Sequence, residues 1–260
     1  MGILNVTPDS FSDGGQFTSA QQAADYAIKM IHDGADIIDI GGESTRPGAK
    51  AVSLEEELKR VKPVIKAIRK QSDCLISIDT YKASVAETAL DLGADIVNDI
   101  SSLSFDQDMA NLISTRKVPI ILMHMQGSPQ DMQLNPVYNN LINDLIHFFK
   151  SKIEIASKAG IVKNMIILDP GIGFGKQVED NFEIIRELKQ IKAMGYPILL
   201  GPSRKSFIGK ALNLPLEERL EGTMASIAVG IINGAKIVRV HDVIETRRTV
   251  SIVENILGKY

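Results

Sequence analysis

Short apolar runs recur along the chain, and most of them stop at a polar residue. Strands are expected at residues 3–5, 37–40, 75–79, 96–98, 119–123, 165–169, 197–201 and 237–240, where the runs are short and rich in β-branched residues. Between them the apolar positions take helical spacing. Leu54, Leu58, Val61, Ile65 and Ile68 share one helical face. Later helices are expected over 82–92, 106–115, 137–159, 178–194, 216–233 and 244–257. Ser19-x-x-Gln22 and Ser53-x-x-Glu56 read as capping boxes, in which a hydroxyl takes an orphan helix N–H.

One phrase repeats: Gly34-Ala35-Asp36-Ile37-Ile38-Asp39 returns as Gly93-Ala94-Asp95-Ile96-Val97-Asn98 and as Gly234-Ala235-Lys236-Ile237-Val238-Arg239. Each copy is a helix-ending glycine, a short strand and a polar strand end. Eight such alternations predict an α/β fold: a single (β/α)8 barrel of the TIM type over residues 1–260, with long loops after strands one and two. A doubly wound sheet is the alternative. It would want a phosphate fingerprint near strand one, and none is there. The first strand starts almost at Met1, so a chain trimmed at its front is expected.

Composition narrows the function. The chain has 260 residues, 44% hydrophobic and 23% charged, with net charge −3. That balance gives no case for nucleic acid or an anionic membrane. No apolar stretch reaches the ~20 residues of a membrane span. No signal peptide is visible, and Val6 breaks the myristoylation pattern. The single cysteine, Cys74, beside an apolar run, reads as a half-buried structural thiol and fits a reducing cytoplasm.

In a barrel the strand C-termini share one mouth. The polar residues there are Asn5, Asp39 with Glu43, Asp79, Asn98, His124, Asp169, Ser203, and Arg239 with His241. After Asp169 comes Pro170-Gly171-Ile172-Gly173-Phe174-Gly175-Lys176, a loop with little side-chain bulk. It is not a Walker loop, because Pro170 replaces the first glycine and Gln177 the Ser/Thr. Arg46, Ser203-Arg204-Lys205, Arg239 and His241 suit an anion, while Asp79, Asn98 and Asp169 suit the N–H groups of a heterocycle. The set fits a flat, nitrogen-rich ring joined to a phosphate or pyrophosphate. The four histidines show no paired metal spacing. Mg²⁺ is expected only with a pyrophosphate, taking one oxygen from Asn5. With no nucleophile elbow or Cys–His pair, the chemistry expected is transfer by electrostatic stabilisation.

These residues resemble a known family. Residues Asn5-Val6-Thr7-Pro8-Asp9-Ser10-Phe11-Ser12-Asp13-Gly14-Gly15 and Gly41-Gly42-Glu43-Ser44-Thr45-Arg46-Pro47-Gly48 look like the two signatures of the dihydropteroate synthases, folate-pathway pterin-binding enzymes. Ser77 to Thr80, Val97 to Asp99, Met123 to Met125, Asp169 to Lys176, Ser203 to Lys205 and Arg239 to Asp242 follow in order. Family members usually carry extra residues ahead of Met1.

The resemblance implies the reaction: 6-hydroxymethyl-7,8-dihydropterin pyrophosphate and p-aminobenzoate give 7,8-dihydropteroate and pyrophosphate. It assigns the pterin to Asp79, Asn98, Met123, Asp169, Phe174, Lys205 and Arg239. It assigns the pyrophosphate to Asn5, Thr45, Arg46, Arg239 and His241, with Mg²⁺ on Asn5. Phe11, Thr45, Pro47, Lys205 and Ser206 would form the p-aminobenzoate pocket, where sulfonamides compete. Asp79, Lys205, Arg239, Asp13 and Arg46 carry the catalysis, the last two by closing over the site. A cytoplasmic homodimer is implied as well. A catalytically silent pterin-binding paralogue and the pterin domain of corrinoid methyltransferases are the alternatives; the latter has no use for the anion set.

Overall fold

Alternation along each strand sorts the sheet into two faces. In a computed structural model that describes residues 1–7, 16–44, 48–49, 51–128, 131–132, 134 and 136–258 (side chains of the first helix from residue 20), the strands are β1 (Gly2–Asn5), β2 (Ile37–Gly41), β3 (Leu75–Asp79), β4 (Ile96–Asp99), β5 (Ile120–Met123), β6 (Ile166–Asp169), β7 (Leu199–Leu200) and β8 (Ile237–Val238). The helices are α1 (Gln16–His32), α2 (Leu54–Arg69), α3 (Ala83–Asp91), α4 (Asp108–Arg116), α5 (Leu141–Lys158), α6 (Val178–Lys192), α7 (Ser206–Leu212), α8 (Leu220–Ile232) and α9 (Val243–Ile256). Ile38, Ile40, Ile76, Ile78, Val97, Ile120, Leu122, Ile166, Leu168 and Leu200 pack against the helices in the main core. Their neighbours in sequence point the other way, because strand side chains alternate. There Met1, Ile37, Ile96, Ile121, Ile167 and Leu199 form a second apolar cluster.

All strand pairs are parallel. β1 to β6 pair in chain order as one sheet, and β7 pairs with β8. Single bridges link Leu168 to Ile198 and Gly2 to Val240. At the second of these, Ile3 N–H donates to the Val240 carbonyl and Val240 N–H to that of Met1, each at 3.0 Å. β7 is shorter than the sequence suggests. Proline at 197 has no N–H to give to a ladder, so regular pairing starts beyond it.

Three helix boundaries differ from expectation. α1 starts at Gln16, which places Ser19 inside the helix and not at its cap. α5 starts at Leu141 because Asn140 caps it, accepting from Asn143 N–H at 3.1 Å. The segment expected as one helix over 216–233 splits into a 3-10 turn at Leu216–Glu218 and α8. Between them Arg219 leaves helical geometry and its guanidinium donates to the Arg204 carbonyl at 3.0 Å. The Ser53 cap is present, its hydroxyl accepting from Glu56 N–H at 3.3 Å. Cys74 is half-buried and unpaired. Among the described residues no helix is long and apolar enough to cross a membrane.

Arg69, at the end of α2, holds the bases of β3 and β4. It donates to the carbonyls of Cys74 (2.6 Å) and Gly93 (2.7 Å) and to Asp95 Oδ2 (2.7 Å), which in turn accepts from Ile76 N–H at 2.8 Å. Arg69→Met strips these partly buried acceptors of their donor. A loss of about 2–4 kcal/mol is expected from charged hydrogen bonds left unmade, read by urea denaturation with an unchanged m-value.

Candidate active site

Strand register decides which polar side chains meet. Asn5 lies beside Gly41, Gly41 beside Asp79, and Asp79 beside Asn98. One layer below, Ile3, Asp39 and Ser77 lie side by side. Across from β5, Met123 pairs with Asp169. These positions share the face whose floor is the second apolar cluster, so polar groups stand on a greasy base.

The centre is a cation between two carboxylates. Arg239, just past β8, donates from Nε to Asp39 Oδ2 (2.6 Å) and from Nη2 to Asp79 Oδ2 (2.8 Å). Asn98 Nδ2 also donates to Asp39 Oδ2, at 3.1 Å. The other oxygens, Asp39 Oδ1, Asp79 Oδ1 and Asn98 Oδ1, are buried with no donor among the described residues. Burial pushes the Asp79 carboxyl up to about 7; Arg239 opposes this, while Asp39, Glu57 and Asp99 add to it. Burial works against the Arg239 charge, but Asp39 and Asp79 outweigh it and hold the guanidinium protonated.

The loop after β6 forms a wall. Asp169 Oδ1 accepts from Gly171 N–H at 2.7 Å, and burial raises its carboxyl above the usual range against the pull of Lys205. Gly171 has φ +66°, and a Cβ there would fall 1.9 Å from the His124 carbonyl oxygen, so only glycine lets the loop lie on the end of β5. Lys205 reaches across from the β7 side. Its ammonium donates to the Ile172 carbonyl and stands 4.6 Å from the Phe174 ring centroid. Burial lowers its pKa to about 8, against the pull of Asp169 and Asp79. Met123 is buried beside Asp169, and Ser206 is the exposed first residue of α7.

The far side carries a second cluster. Ser203 Oγ and His241 Nδ1 are 3.0 Å apart, and His241 N–H donates to the same hydroxyl. Arg204 departs from the anion-binding role given by sequence. Both ends of its guanidinium bond Asp242, Nε at 2.9 Å, and its charge is spent on joining two loops. Lys176 was unassigned by sequence reasoning. It is buried and lies 3.0 Å from His124 Nδ1, with the Phe174 carbonyl accepting at 2.9 Å, and burial lowers its pKa to about 7. Burial, with Lys176 adding to it, lowers the His124 pKa to about 2, so the ring is neutral. His32 and His147 are exposed on helices, as the sequence suggested.

Asn5, Asp79, Asn98, Met123, Asp169, Phe174, Lys205, Ser206, Arg239 and His241 are therefore placed around one end of the strands. Phe11, Asp13, Thr45, Arg46 and Pro47 lie outside the described residues. Among the described residues no three His, Cys, Asp or Glu side chains gather as a metal cage. Asn5 supplies one amide oxygen close to Gly41 and Asp79: a Cβ built on Gly41 would lie 3.7 Å from Asn5 Oδ1 and 3.6 Å from Asp79 Cβ.

The family model described as "Pterin binding enzyme" matches residues 1–241. A dihydropteroate synthase from Clostridium beijerinckii is 52% identical over 260 residues, covering 100% of this chain and 94% of its own. The chain belongs to the dihydropteroate synthase family. Solved dihydropteroate synthases share its architecture. That of Yersinia pestis, in a complex with a sulfonamide drug, has a TM-score of 0.94 at 45% identity, covering 99% of this chain and 94% of its own. That of Clostridium difficile, solved in the presence of pteroic acid, has a TM-score of 0.93 at 49% identity, covering 98% and 95%. The chain is thus a dihydropteroate synthase, a transferase of folate biosynthesis.

Two of the buried groups titrate in the working range with opposite requirements. If Asp79 must be ionised and Lys205 protonated, kcat/KM for the pterin substrate should be bell-shaped. The acid limb is expected near pH 7, where Asp79 takes up a proton, and the base limb near pH 8, where Lys205 loses one. A profile flat across this range would remove one or both groups from the reaction.

Proposed function

We propose that the residues around Asp79 and Arg239 are the working parts of this synthase, and that the eight strands close as one (β/α)8 barrel through the bridges at Ile198 and Val240. The observation that carries the site reading is the pair of buried oxygens, Asp79 Oδ1 and Asn98 Oδ1, without a donor among the described residues, beside the largely buried Arg239 cation. A dihydropterin ring offers the N–H donors these acceptors lack. Asp169 takes further N–H groups, Met123 and Phe174 line the ring, and Lys205 and Arg239 cover it.

The reaction follows from that placement. The bond from the pterin CH₂ to the pyrophosphate oxygen breaks, and its electron pair leaves with the pyrophosphate. Arg239, His241, Asn5 and, from the loop after β2, Thr45 and Arg46 hold the departing anion. Ionised Asp79 stabilises the positive charge left on the pterin. The aniline nitrogen of p-aminobenzoate then donates its lone pair to the CH₂, forming the new C–N bond, and gives up a proton. Phe11, Thr45, Pro47, Lys205 and Ser206 form the p-aminobenzoate pocket, where sulfonamides compete; Asp13 and Arg46 exclude water. The single amide oxygen of Asn5 fits Mg²⁺, a hard ion that keeps its waters and travels with phosphates. Bound there, Mg²⁺ neutralises pyrophosphate charge.

We place the enzyme in a reducing cytoplasm, in keeping with one unpaired thiol, Cys74. We also infer a homodimer through α8 and α9, which expose Val229, Ile232, Ile252 and Ile256. Sedimentation should then report twice the 28.4 kDa chain mass, and Ile252→Glu should reduce it to one chain.

The function is tested by mixing the protein with the pterin pyrophosphate, p-aminobenzoate and Mg²⁺. Pyrophosphate and dihydropteroate should appear in equal amounts, and dihydropteroate only with p-aminobenzoate present. Asp79→Asn should cut kcat by about a hundredfold or more, as loss of a transition-state charge does, with a smaller effect on pterin affinity. Equal losses in both would deny Asp79 its role in the chemical step.

A further inference from the structure

Asp39 is fully buried, and no step above uses it. It sits one layer below the ligand face, since Gly41, two residues on, is the position that pairs with Asp79. A ring resting on Asp79 and Asn98 would therefore lie above it. Yet one of its oxygens, Oδ2, accepts from both Arg239 Nε (2.6 Å) and Asn98 Nδ2 (3.1 Å). That oxygen joins a cation of the pyrophosphate side to an amide of the pterin side.

Arg239 thus has two anionic partners with unequal freedom. Asp39 has no solvent exposure, and it holds the guanidinium from beneath. Asp79 is 6% exposed, and it is the carboxylate in the layer where the ring is expected. Its Oδ2 is occupied by Arg239 and its Oδ1 is open. A ligand that takes both oxygens of Asp79 displaces Arg239 from Oδ2. The Arg239 side chain is only 20% exposed, so a guanidinium released by Asp79 stays paired in the protein through Asp39.

We propose that Asp39 is a positioning residue: it keeps Arg239 and Asn98 in place while Arg239 exchanges Asp79 for the substrate. The inference rests on the roles of Asp79, Asn98 and Arg239 given above. Asp39→Asn keeps the shape and an acceptor oxygen but removes the charge. Among the described residues Arg239 is then left with Asp79 as its only anionic partner, and the pterin must compete for that carboxylate. KM for the pterin pyrophosphate should rise about tenfold, with KM for p-aminobenzoate within about twofold of the native value. A purely structural role would move both alike, and equal changes, or none, would overturn the proposal.

A crystal structure of the native protein with the pterin pyrophosphate gives a second reading that needs no variant. Arg239 Nε should remain within about 3 Å of Asp39 Oδ2, the usual hydrogen-bond distance, while Nη2 leaves Asp79. Arg239 departing from Asp39, or keeping its bond to Asp79, would overturn it. A ligand seated away from Asp79, Asn98 and Arg239 would instead overturn the site reading, and this inference with it.

Discussion

A largely buried guanidinium between two buried carboxylates sets the terms for the rest of the molecule. Arg239 meets Asp39 and Asp79 from 200 and 160 residues away in sequence. Burying three charges costs more than their mutual attraction returns in most proteins, so the trio is weak as a stabilising device. The fold carries it on a broad apolar base, the floor of Met1, Ile37, Ile96, Ile121, Ile167 and Leu199 and the larger core behind the strands. The energetic load falls on ordinary aliphatic packing, and the chemistry stands on top of it.

The same division of labour explains the loops. The Asp169 loop is shaped by its backbone lying against β5 at Gly171 and by the Asp169 carboxylate that accepts from Gly171 N–H. Lys176 then uses its ammonium to fasten His124 and the Phe174 carbonyl together. On the far side of the same end, Arg204 and Asp242 fasten the segments after β7 and β8. Cations that look catalytic in a one-dimensional list are here partly mechanical, holding strand-end loops in fixed relation.

Much of this was legible before any coordinates. All eight strands fall within a few residues of their expected places, because a short β-branched run ending in a polar residue is a local signal. Asp79, Asn98, Asp169 and Arg239 were readable as polar strand ends that a barrel would bring to one mouth, and Lys205 as part of the basic stretch after strand seven. What the sequence hid depends on distance between strands. Asp39 was visible as a polar strand end, yet nothing local reveals that one of its oxygens serves both Arg239 and Asn98. Arg204 looked like a ligand for anions because its partner, Asp242, is distant in sequence. Ser19 misled because the capping pattern says where a helix can start, not where it must.

The join between Gly2 and Val240 ties the first strand to nearly the last. During synthesis, β1 to β6 can pair in order as they emerge, since each neighbour lies next along the chain. Arg239 comes only at the end. A chain that stops short of it lacks the cation that Asp39 and Asp79 share. The end of the chain therefore brings both the bridge to Gly2 and the cation for the two carboxylates.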